Sequence, residues 1–154
     1  MRKGFLVTCL VLLALPVSGS VLIRTPEVTF ISNRSVRTAC DGAVDTACTN
    51  FNDTALYCLC ALRGERWTPE VRITSQPHMY LSHMMYRLHE QGHVFDFRRA
   101  MKQHAAEIET LSFSQRSACD DFVAQQRADF PAVLRRYVRT SMRLRDGKVL
   151  PDRD

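Results

Sequence analysis

The run His89-Glu90-Gln91-Gly92-His93 sets two imidazoles four residues apart around a carboxylate. On a helix that spacing sends both rings off one face, where they can grip a single cation. Glu90 follows the first ring and projects about 100° away from it, beside the ion rather than on it. From there a carboxylate can take a proton from a metal-activated water and hand it to a leaving amine. Zn2+ is the expected ion, because it brings the pKa of water to about 7 and polarises a carbonyl. The plain alternative is a surface helix that happens to carry two histidines.

Two imidazoles do not complete a zinc site, so a third ligand is expected. Arg99 stands where the metzincin pattern H-E-x-x-H-x-x-G-x-x-H wants its last His, and Asp96 replaces its Gly, which excludes that class. Asp96 is one turn from His93, as a ligand or as a partner of one. His104 and Glu107 share the stripe but fall ~16 Å and ~21 Å further along a straight helix, so they serve only if it breaks. A chain reversing near Ser112 revisits the metal's level at about residues 129–138. Asp129 is then the first choice as ligand, ahead of Asp96, with His104 or Glu107 last. Tyr137 is the candidate to steady a developing oxyanion. The alternatives are a helix-end cap for Asp129 and a core position for Tyr137.

The elements that must position these groups come next. Val28 to Ile31 is a short β-rich run, Thr54 to Leu62 is apolar on both faces as a central strand would be, and Trp67 to Thr74 alternates as a half-buried strand does, with Arg63-Gly64-Glu65 as a turn. Residues 33–53 are polar and read as a loop pinned by Cys40 and Cys48. From about His78 to Glu109 the pattern is helical, with Leu81, Met84, Met85, Leu88, Gly92 and Phe95 as the expected core-facing stripe. After a reversal at Ser112 to Ser114, helical stretches are expected over Gln115 to Asp129 and Ala132 to Leu144, interrupted at Pro131. The prediction is an α+β domain: a small β-sheet of about three strands packed on a long helix and a returning helical pair.

Residues 1–20 carry Arg2 and Lys3, an apolar run from Phe5 to Leu15 and small residues at Ser18-Gly19-Ser20, which together read as a cleavable secretory signal peptide. A single domain is expected over 21–147, with a loose tail at 148–154. The expected location is therefore secreted or periplasmic, where disulfide bonds persist. Five cysteines follow the leader. Cys40–Cys48 is expected as one bridge, and Cys119 tied to Cys58 or Cys60 as another. With no C-x-x-C pair, a cysteine zinc site is disfavoured. Removing Arg2 and Lys3 from the +5 chain leaves +3 with neutral His, too mild to predict a nucleic-acid partner. Arg135, Arg136, Arg139, Arg143 and Arg145 crowd the last helix, either as a solvated face or as a weak contact to a membrane surface.

The run from Tyr86 to Met101, the later Cys119 and a helical tail ending in Asp146-Gly147 resemble small bacterial secreted proteins predicted to be zinc-dependent proteases. The similarity spans about Trp67 to Gly147, and only the H-E-x-x-H segment is specific. The resemblance implies a zincin-like fold, a peptide or protein substrate and a periplasmic home. It also implies a tail with Tyr-Asp and His-Gly pairs, where this chain has Thr140-Ser141 and Asp146-Gly147. If that tail feeds the metal, Asp146 becomes a further ligand candidate. The expectation is a secreted metalloprotease, a hydrolase with His89 and His93 on zinc and Glu90 as general base. The alternatives are a non-catalytic envelope protein and a zinc amidase acting on cell-wall peptide.

Overall fold

The computed structural model describes residues 20–40 and 46–146, without the side chains of 142–144 and 146. The expected leader lies outside them apart from Ser20, and so does the expected tail. The elements run β1 (Ser20–Ile23), β2 (Glu27–Phe30), α1 (Asn33–Ala39), β3 (Ala47–Asn50), β4 (Thr54–Arg63), β5 (Arg66–Ser75), β6 (His78–Leu81), α2 (Arg87–Glu109) and α3 (Arg116–Asp146). The class is α+β.

The strands form two three-stranded sheets, β1-β5-β4 and β2-β6-β3. β1 and β2 run parallel to β5 and β6, while β4 and β3 run antiparallel to them. Each strand of one sheet thus continues into a strand of the other. Pro26 and Pro77 lack the N–H that a ladder needs, and the pairing breaks beside them. Arg24 N donates to Ser75 O, Glu27 N to Pro77 O and Gln76 N to Asp53 O across the break, each at 3.0 Å. In place of the one sheet of about three strands expected from the sequence there are thus two, because the prolines interrupt the pairing. The β4–β5 hairpin turns at Gly64, whose φ of 61° is the left-handed value that glycine adopts without a steric penalty.

Two stretches expected otherwise are regular structure. The segment 33–53 holds α1 and β3 instead of only loop. Ser32 caps α1 by accepting from Ser35 N, and the Cys40–Cys48 disulfide fastens the helix end to β3. His78 to Leu81, expected as the opening of the long helix, pairs on both sides as the central strand of its sheet. A 3-10 turn at Met84–Tyr86 then leads into α2.

The core lies between the sheets and the two long helices. Ile73, Met79 and Leu81 meet Val94, Phe97, Met101, Ala105 and Ile108 of α2 and Val123 and Phe130 of α3. Phe51 stacks on Phe97 at 4.1 Å between centroids. The buried face of α2 is therefore not the expected one. Met84, Met85, Leu88 and Phe95 are exposed, Leu88 to 81 %. Buried in their place are Glu90, His93, Val94, Phe97, Met101, His104, Ala105 and Ile108. That stripe repeats to the last turn of the helix, whereas the expected one stops at Phe95. The longer stripe buries more apolar surface and sets the rotation of the helix.

α3 is one helix with Pro131 inside it, not two segments. Proline removes one helical hydrogen bond, but Phe130 is buried just before it, and Leu134, Tyr137 and Val138 pack on the core just after. Trp67 and Phe113 exchange both backbone hydrogen bonds, at 2.9 and 2.8 Å, and fix the reversal between the helices. Cys60–Cys119 joins β4 to α3. Cys58, on the same strand face, is buried and unbridged, and burial pushes its thiol up to about 11. No described helix is long and apolar enough to cross a membrane.

Candidate metal centre

The first turns of α2 carry the group. Ligand atoms of His89, Glu90 and His93 all lie within 4.8 Å of one another. The two rings stand 5.0 Å apart with planes at 77°. Glu90 and His93 are buried at 3 % and 5 %, while His89 is exposed, so the group spans the boundary between core and solvent. Two imidazoles are donors that suit zinc, and the Glu90 carboxylate lies beside them. Among the described residues no other His, Cys, Asp or Glu joins the three.

Two residues far away in sequence orient the group. Thr49 of β3 donates its hydroxyl to Glu90 Oε2 at 2.7 Å, which fixes one carboxylate oxygen in a buried place. Ser141 of α3 lies 3.0 Å from His93 Nδ1. In the tautomer in which Nδ1–H donates to that hydroxyl, the Nε2 lone pair is available to a cation.

The end of α3 lays the Arg145 side chain over this turn at Gly92. A Cβ at position 92 would overlap the Arg145 guanidinium, and Arg145 Nε bonds Asp96 Oδ2 at 2.5 Å. Asp96 also faces Arg99 at 3.8 Å. The hydrogen bond from Arg145 holds the Asp96 carboxyl below the usual carboxylate range, against the opposing effect of burial.

The other expected site residues are placed elsewhere. Asp96 is engaged by Arg145 and is not gathered with the imidazoles. Asp129 is exposed on α3 and accepts from Gln125 at 2.8 Å, one helical turn away. Glu107 is exposed and accepts from Gln103. Tyr137 packs against His104 at 6.2 Å, with Arg136 over its ring, and belongs to the helix–helix contact. His104 is buried there between Tyr137 and Phe130, and its Nε2 has no hydrogen-bond partner. Burial lowers its pKa, Arg136 adds to that and Glu107 opposes it. Asp146 follows Arg145 at the end of α3, and its side chain lies outside the described ones.

The returning chain therefore meets the metal's level at Ser141 and Arg145, later than the expected 129–138. A simple hairpin of helices would put the meeting point near the earlier range, but α3 first packs along β4, to which Cys119 ties it. Sequence reading missed Thr49, Ser141 and the Gly92–Arg145 contact. The one signal for Thr49 was its place directly after Cys48. Comparison of the chain with protein-family models, with curated proteins and with solved structures finds no match.

Proposed function

We propose that this chain is an exported, zincin-like zinc hydrolase that cleaves peptide bonds. The observation that carries the reading is the gathering of His89, Glu90 and His93 on one helical face, with their ligand atoms within 4.8 Å and one imidazole open to solvent. Structural zinc sites are closed by four protein ligands, whereas catalytic sites keep a position for water and substrate. An exposed His89 favours the second kind. The two disulfides favour an oxidising compartment.

His89 and His93 would hold the ion, which when bound supplies a Lewis acid for the scissile carbonyl. Ser141, at His93 Nδ1, would orient that ring with its Nε2 toward the ion. Glu90 takes the proton of the attacking water and returns it to the leaving nitrogen. Thr49 donates to Oε2 and so orients the carboxylate that would handle the proton.

Metal content and hydrolysis test this together. The purified chain should carry near-stoichiometric zinc and cleave an unstructured protein such as casein in a chelator-sensitive way. Glu90→Gln should keep the zinc and lose about a hundredfold or more in rate. His93→Ala should lose the zinc. A fully active Glu90→Gln variant, or a chain that binds no metal, overturns the reading. Cleavage of amide bonds in cell-wall peptide but not in proteins would make it an amidase with the same centre.

A further inference from the structure

A cavity of about 240 Å3 lies between β3 and α3 and shares Thr49, the residue that holds Glu90, with the metal centre. Its apolar surface comes from Phe51, Leu134 and Val138. Arg135 and Arg139, one turn apart on α3, supply two positive charges. No described residue of its lining is acidic. A larger cavity of about 860 Å3 lies along β1, β4 and β5, but it mixes arginines with acidic residues and shares no residue with the centre.

We infer that the smaller cavity is the subsite for a carboxylate-bearing residue of the substrate peptide, held next to the bond to be cut. The inference rests on the hydrolase reading and adds a substrate class to it. Three features carry it. The volume is below the range of whole-ligand pockets and suits one side chain. Apolar walls with cations beside them match an aliphatic stem ending in an anion, as in glutamate, and guanidinium is the side chain best shaped for a carboxylate. The position is also right. Val138 precedes Ser141 by three residues, about 4.5 Å along a helix axis, and Ser141 touches His93. Thr49 both lines the cavity and bonds Glu90, so a peptide residue seated here adjoins the centre, with about 3.4 Å of extended chain per further residue.

The test uses the full zinc-loaded chain and blocked peptides in which Glu, or Gln in its place, is scanned through every position. Affinity is read by calorimetry on the Glu90→Gln variant, which binds without turning over. At one position the Glu peptide should bind about tenfold or more tighter than its Gln twin. Adding Arg135→Glu and Arg139→Glu should abolish that ratio while zinc content stays the same. A preference for a free over an amidated C-terminus, lost in the same variant, would identify a terminal carboxylate as the occupant. Equal affinity for Glu, Gln and both termini overturns the subsite. Hydrolysis by the unaltered chain is scored separately: if zinc is bound and nothing is cut, the hydrolase reading fails, whereas cutting without acidic preference defeats only the subsite.

Discussion

Thr49 and Ser141 approach the His89–Glu90–His93 turn from a strand and from a helix, 41 and 48 residues away from their partners. Hydrogen bonds of this kind set the direction of a ligand's lone pair, and losing one typically costs 10–100-fold in metal affinity. Ser141→Ala should therefore weaken zinc binding by about that factor, measured by competition with a chromophoric chelator, while circular dichroism reports an unchanged fold. An unchanged affinity would show that the hydroxyl does not orient the ring. The motif itself was legible in the sequence because i,i+4 proximity is a property of the helix alone. Its supports were not, because nothing local in the chain says which distant hydroxyl will arrive. Asp129 illustrates the same limit: its level along the chain is plausible, and the register of the returning helix places it on the exposed face beside Gln125.

At the scale of elements, the two longest strands follow from the sequence, whereas β3, β6 and the rotation of α2 do not. β4, β5 and the glycine turn between them follow from composition and alternation. α2 carried two competing stripes, and the one that begins at Leu81 ends on residues that face solvent. Leu88→Ser and Phe95→Ser should each change stability by less than about 0.5 kcal/mol, as surface substitutions do. Met101→Ala, on the buried stripe, should cost about 2–5 kcal/mol. Urea unfolding of the three variants checks the rotation, and a large loss for Leu88→Ser would mean the helix is turned the other way. The arginines of α3, of which Arg135, Arg136 and Arg145 are exposed, also make specific contacts. Arg136 covers Tyr137, Arg139 lines the cavity, and Arg145 clamps Asp96 across Gly92.

For the whole molecule, the α2–α3 contact should make stability depend on pH. His104 is buried there with a lowered pKa, while in the unfolded chain it titrates near 6.5. As pH falls through about 6.5 the unfolded state takes up a proton that the native state refuses, so stability declines. The decline stops once pH passes the lowered native value, below which both states are protonated. His104→Leu should flatten this part of the profile, seen as a smaller drop in Tm between pH 7 and 5 than in the unaltered chain. An identical drop in both would assign the pH dependence to groups other than His104. The α+β class was legible from the sequence, as was Cys40–Cys48, which is short-range. The partner of Cys119 is ambiguous in the sequence, because Cys58 and Cys60 both point the same way from one strand.

That ambiguity also confronts the nascent chain, for which Cys58 and Cys60 are rival mates of one sulfur. The finished fold removes the rivalry by chemistry as well as by distance. A thiol with a pKa of about 11 is ionised in only about one molecule in ten thousand at pH 7, and only the thiolate attacks a disulfide. The correct bridge, once enclosed, is therefore insulated from scrambling by the very residue best placed to undo it.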